Sequence, residues 1–95
     1  MKTTEDVRNA IVDQYGEEAL ENLCMFENPA FVGAIIGFDV HHKKIIYDYD
    51  KMVGCLMDED GMTEEEAVEF IDYNTLRTVP YMENAPIIVM PIFEL

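Results

Sequence analysis

The sequence predicts an α+β domain with more helix than strand, and three observations carry that expectation. Tyr49, Met52, Val53, Leu56 and Met57 follow i, i+3, i+4, i+7, i+8 without a break, the apolar stripe of a helix that buries one face. "FVGAIIGFDV" and "KIIYDY" are rich in β-branched residues and flank the polar "DVHHKK", the pattern of a β-hairpin. "GMTEEEA" joins a helix stop to a helix start. The chain has 95 residues, 49% of them apolar, with no internal repeat and no low-complexity linker, so it is expected to form one domain, 1–95, around one modest core.

In chain order, Thr3 or Thr4 can cap a first helix whose face is Val7, Ala10, Ile11 and Tyr15, and Gly16 can stop it. "EEALENLCMF" places Ala19, Leu20, Leu23 and Cys24 at helical spacing and predicts a second short helix, which "ENP" should end. Residues 31–40 are apolar on both alternating faces, which predicts a strand covered on both sides, with Gly33 and Gly37 leaving room for a closely packed neighbour. The hairpin should then run over 31–47. Asp48 can cap the next helix, Gly61 falls where a left-handed residue ends it, and Thr63 with Glu66 forms a capping box for a partner helix. That partner carries Ala67, Val68, Phe70, Ile71, Asn74 and Thr75 and should stop before Pro80, making an αα-hairpin. Pro86 and Pro91 bracket a last strand over 87–90, an edge strand completing a small antiparallel or mixed sheet.

The charge is lopsided: 20 Asp and Glu against six Lys and Arg give a formal net charge of -14. Such a chain repels nucleic acid and anionic membranes. Asp58, Glu59, Asp60, Glu64, Glu65, Glu66, Glu69 and Asp72 fall within fifteen residues that hold no basic side chain. A solvated helix face is the ordinary explanation; the sharper one is a site for a basic partner, with Asp58, Glu59, Asp60, Glu64, Glu65, Glu69 and Asp72 as its contacts. An EF-hand reading of "LMDEDGMTEEEA" fails on its anchors. With Gly61 at the sixth position, Leu56 and Ala67 stand where the first and last carboxylates belong.

Other chemistry has little support. His41 and His42 are neighbours in a turn without HxxxH or HxH spacing, so no metal is expected there even with Asp39, Asp48 and Asp50 nearby. The chain has no serine, and Cys24 and Cys55 match neither CxxC nor a zinc pattern, so both are read as reduced, inert thiols on helices. No glycine-rich phosphate loop is present, and neither an enzyme nor a cofactor is expected. "MKTTEDVRNA" lacks a signal-peptide core and "PAFVGAIIGF" is too short to span a bilayer, which points to the cytoplasm. "FIDYNTLRTVPY" interleaves polar and aromatic residues; it serves either to close a helix end, with Arg77 paired to a carboxylate, or as a small recognition patch.

"FVG", "YDYDKMV", "GMTEEEAVEFIDYNT", "PYM" and "APII", read in that order, resemble a family of small, acidic, uncharacterised proteins encoded by phages, mobile elements and gut bacteria. The match covers about 31–92 and is most specific over 47–74. The resemblance implies no catalytic residue; it implies a mobile-element setting, in which small acidic proteins bind and block host defence machinery. The resulting expectation is an anti-CRISPR-like, DNA-mimicking factor that inhibits a bacterial defence nucleoprotein by occupying a basic surface. The alternative is a module that self-associates, as a homodimer or larger, through the apolar strand 31–40.

Overall fold

The computed structural model describes residues 3–92. The chain forms three helices, α1 (Thr4–Tyr15), α2 (Tyr49–Asp60) and α3 (Glu64–Phe70), and a three-stranded sheet of β1 (Ile35–Asp39), β2 (Lys44–Asp48) and β3 (Ile87–Val89). The strand order is β1-β2-β3, antiparallel between β1 and β2 and parallel between β2 and β3, so the sheet is mixed and the fold is α+β. Helical residues outnumber strand residues.

Local chemistry sets most helix ends. Thr3 caps α1 through a reciprocal box with Asp6, whose backbone N–H reaches the Thr3 hydroxyl at 3.2 Å while its carboxylate accepts the Thr3 N–H at 2.9 Å. Asp48 caps α2 by accepting the Lys51 N–H at 3.0 Å. Gly61, at φ 67°, turns the chain out of α2 in the left-handed region, and the Met62 N–H points back to the Leu56 carbonyl at 3.3 Å. Thr63 and Glu66 then start α3 with a second box, so α2 and α3 form the expected αα-hairpin. Beyond Phe70 the helix widens into a π turn, Ile71–Leu76, and stops before Pro80.

The stretch between α1 and β1 departs from its periodicity. Only a 3₁₀ turn, Glu17–Leu20, replaces the second helix, because Asn22 adopts φ 61° and breaks the helical path; Cys24 therefore lies in irregular chain. Pro29 begins structure instead of ending it: Asn28 accepts the Ala30 N–H at 3.0 Å, and with proline at its first position a 3₁₀ segment runs over Pro29–Ala34. The strand over 31–40 thus shortens to Ile35–Asp39, and the hairpin begins four residues later than its apolar run. Phe31, Val32 and Ala34 are buried as a packed turn, not as pleats of a sheet.

The two-sided burial expected of β1 is found in neither hairpin strand: the buried residues of β2, Ile45 and Tyr47, share one face, and Ile46 on the other is half-buried. β2 is the central strand, whereas β1 is an edge strand with a bulge between Ile35 and Gly37, with Ile36 exposed and with Val40 exposed just beyond its end. Gly33 does admit a close neighbour, since a Cβ there would lie 3.2 Å from the Cys55 sulfur of α2, but Gly37 faces open space. The core gathers Phe31, Ile45, Tyr47, Met52, Leu56 and Ile71 where α2 crosses the Pro29–Ala34 turn and β2. Each such side chain contributes roughly 1.5–3 kcal/mol by leaving water. On α1, Ile11 is buried and Val7 half-buried, but Ala10 and Tyr15 are exposed; the Tyr15 ring packs over Phe38 at 5.3 Å.

Candidate functional site

The acidic residues singled out by sequence spacing lie around the α2–α3 turn. Asp58, Glu59 and Asp60 form the last turn of α2, Glu64 and Glu65 the first turn of α3, Glu69 stands one turn further on, and Asp72 lies in the π turn. All seven are exposed. Among the described residues none of them pairs with Lys or Arg, and the one ion pair is His42 with Asp39 on the β1–β2 turn. The α3 acids suit a helix N-terminus, where the dipole favours negative charge, but Asp58, Glu59 and Asp60 crowd a C-terminus where it favours cations. Local structure therefore gives those three no compensating partner.

Asp72 differs from the rest. Its carboxylate accepts the Tyr49 hydroxyl at 3.3 Å, tying the far end of the second helical arm to the first turn of α2. Burial first, then the Asp72 and Asp50 carboxylates, hold the Tyr49 phenol above its ordinary value. Sequence spacing missed this pair; an antiparallel αα-hairpin, which brings the start of one helix beside the end of the next, is the signal that could have found it. Among the described residues Arg77 takes no carboxylate: its guanidinium sits over the Tyr73 ring, 4.7 Å from the centroid.

The remaining candidate groups are absorbed by structure. Asp39 closes the hairpin turn by accepting the N–H groups of His41 and His42 at 2.9 and 3.2 Å, and its second oxygen meets His42 Nδ1 at 2.9 Å. The His42 ring is the main cause that holds the Asp39 carboxyl below its ordinary value. No group of three or more His, Cys, Asp or Glu side chains able to hold a metal occurs among the described residues. Cys24 and Cys55 are free and half-buried, and burial, with Glu59 and Asp58 behind it, raises the Cys55 thiol, the opposite of what a nucleophile needs. No described helix is long and apolar enough to cross a membrane.

Two adjoining clefts run beside the α3 arm. One, of about 450 Å³, lies between the 25–28 loop and the π turn and includes Met25, Phe70, Thr75 and Met82. The other, of about 400 Å³, opens toward the α2–α3 turn and includes Met62, Glu66, Glu69 and Tyr73. Phe70 and Asn74 line both, so the clefts adjoin at these two side chains and make up a two-part groove. "FIDYNTLRTVPY" supplies much of its wall, but Met25, Met62 and Met82 were not read as site residues. Seven methionines in 95 residues were the available signal. Tyr81, the last aromatic of that stretch, lies outside the groove and is 89% exposed.

Comparison with known proteins adds no family. No family model, curated protein or solved structure matches the chain. The reading of the site rests on its geometry.

Proposed function

We propose that the protein is a non-enzymatic binding factor whose acidic α2–α3 turn occupies a basic, nucleic-acid-binding surface of a partner protein. The phage or mobile-element resemblance gives this reading its biological form: inhibition of a bacterial defence nucleoprotein, CRISPR–Cas-like, inside the host cytoplasm, by mimicry of nucleic-acid charge. The observation that supports it is the set of exposed carboxylates Asp58, Glu59, Asp60, Glu64, Glu65, Glu69 and Asp72, unmatched by Lys or Arg among the described residues. A surface of this kind competes with DNA or RNA for Lys and Arg, and competes less well as salt rises. The test is a pull-down from bacterial lysate at low salt, with added DNA as competitor. A retained nucleic-acid-binding protein, released by DNA and lost by the D58K/E59K/D60K variant, supports the reading. Failure to retain any such protein, or equal retention by the variant, overturns it.

A second reading has its own observation. β1 is an edge strand with Ile36 47% exposed and Val40, just past its end, 59% exposed, a surface that a second copy could cover by strand pairing. Light scattering separates the two: a monomer across a wide concentration range removes self-association.

A further inference from the structure

We infer that the methionine-lined groove beside α3 is a docking site for a basic amphipathic helix of a partner protein. This inference does not rest on the reading of the acidic turn: the groove shares only Glu69 with that surface and is argued from its own apolar lining.

The wall of the groove is one face of a helical arm. Glu66, Phe70 and Asn74 recur at intervals of four residues along it and all line the groove, and Thr78 lines it from the turn beyond. At about 1.5 Å per residue the stripe from Glu66 to Asn74 is roughly 12 Å long, the length of about two turns of a docked helix. Its floor includes Met25, Met62 and Met82, whose unbranched thioethers repack around apolar side chains of different shape. Among the described residues its charged lining is acidic throughout: Glu27, Glu66 and Glu69 line it and no Lys or Arg does. Apolar floor and acidic rim together select a ligand with an apolar stripe flanked by Lys or Arg.

Backbone chemistry chooses helix over strand. Neither free sheet edge lines this groove, so an extended peptide lying in it would find no ladder for its N–H and C=O groups. A helix satisfies its own backbone and offers the groove only side chains, at i, i+3, i+4 and i+7. The π turn fits the same role: it sets Asn74 and Thr75 into the wall, and single-turn π segments recur at functional sites.

The test uses the full chain with ¹³C-labelled methionine methyls and a defined probe, a 14-residue Leu/Lys peptide with Leu at i, i+3, i+4, i+7 spacing. A permuted peptide of the same composition, without an apolar face, is the control. The expected result is saturable shifts of the Met25, Met62 and Met82 methyls, with Met52 of the core unmoved, and binding at least about tenfold tighter than the control. Glu69→Lys and Met82→Gln, each checked for folding by circular dichroism, should each weaken binding about tenfold. At physiological salt, where the Debye length is about 8 Å, D58K/E59K/D60K should weaken it less than about threefold. Equal affinity for the two peptides overturns the proposal, since charge alone would then account for binding. Shifts confined to Met57, in the last turn of α2, would place the peptide on the acidic turn and likewise overturn it while leaving the proposed function standing. Concentration-dependent shifts of the three methyls without peptide would give the groove to a second copy, which also overturns it.

Discussion

The α2–α3 hairpin and the 16–34 segment are held by different kinds of interaction. In the hairpin each junction is fixed by neighbours within a few residues: Asp48 with Lys51, Gly61 by its own backbone, Thr63 with Glu66. In 16–34 the local cap of Asn28 on Ala30 is joined by partners that are remote. The Tyr47 hydroxyl accepts the Phe26 N–H at 3.1 Å, the Asn84 side chain donates to the Asn22 carbonyl at 2.6 Å, and Phe31 is buried beneath α2 at 1% exposure. Interactions of the first kind form as the helix forms; those of the second exist only once β2 and the 79–84 segment are in place. The hairpin should therefore tolerate single losses that the 16–34 segment does not.

The largest effect is expected at Phe31. Phe31→Ala leaves a cavity under α2 and should cost about 3–5 kcal/mol, a large part of the stability of a domain this size, read as a lower urea midpoint. Tyr47→Phe keeps the ring, including its contact with Phe26 at 4.8 Å, but strands a buried N–H. It should cost about 1–3 kcal/mol. Loss of amide protection at Phe26 and its neighbours in hydrogen exchange, with the α2–α3 turn unchanged, would localise that effect. If both substitutions cost less than a lost cap does, the contrast between the two regions is broken.

The same contrast explains which parts of the fold were legible in the sequence. Asp48, Gly61, Thr63 and Glu66 announce their roles by residue type and spacing, and the α2 stripe is long enough to fix its period, so the αα-hairpin reads directly. Residues 17–24 have the period but not the conformation, because a positive φ at Asn22 and the Asn84 contact decide that stretch. The run 31–40 is apolar enough for a buried strand. Phe31, Val32 and Ala34, however, are buried in a proline-initiated turn packed against α2, and apolarity alone cannot tell the two. The acidic residues were legible one by one, and so was their exposure. The groove was not, since Met25, Met62 and Met82 come together only through packing.

Within the hairpin the expected effects are smaller. Gly61→Ala forces a Cβ into the left-handed region at φ 67° and should cost about 1 kcal/mol, although open space surrounds the site. Thr63→Ala removes one half of the capping box and should also cost about 1 kcal/mol. Both changes should raise exchange at the α3 amides and leave Phe26 protected, the reverse of the Tyr47→Phe pattern. A matching loss at Phe26 would mean that the two regions unfold as one unit, and the comparison would need redrawing.

The smallest effects come from titration, and they have opposite signs in the two regions. At the hairpin the Thr63 N–H bond, then the Thr63 hydroxyl, hold the Glu66 carboxyl below its ordinary value of 4.5. A carboxyl lowered by folding stabilises the folded state fully above 4.5, and the contribution is lost as pH falls through the lower folded value. Asp39 adds a loss of the same sign at the β1–β2 turn. Beside the 16–34 segment, burial raises the Tyr47 phenol above its ordinary value of 10.0. A group raised by folding contributes fully below 10.0, and that contribution is lost as pH rises toward the folded value. Acid should thus loosen the α2–α3 turn first and alkali the Phe26–Tyr47 contact first, with Tyr49 adding to the alkaline loss. Glu66→Gln keeps an oxygen for the Thr63 N–H but cannot titrate, so it should flatten part of the acid limb of a stability profile and leave the alkaline limb unchanged. Tyr47→Phe should do the converse. If either substitution moved both limbs equally, the two regions would share one determinant of stability instead of having separate ones.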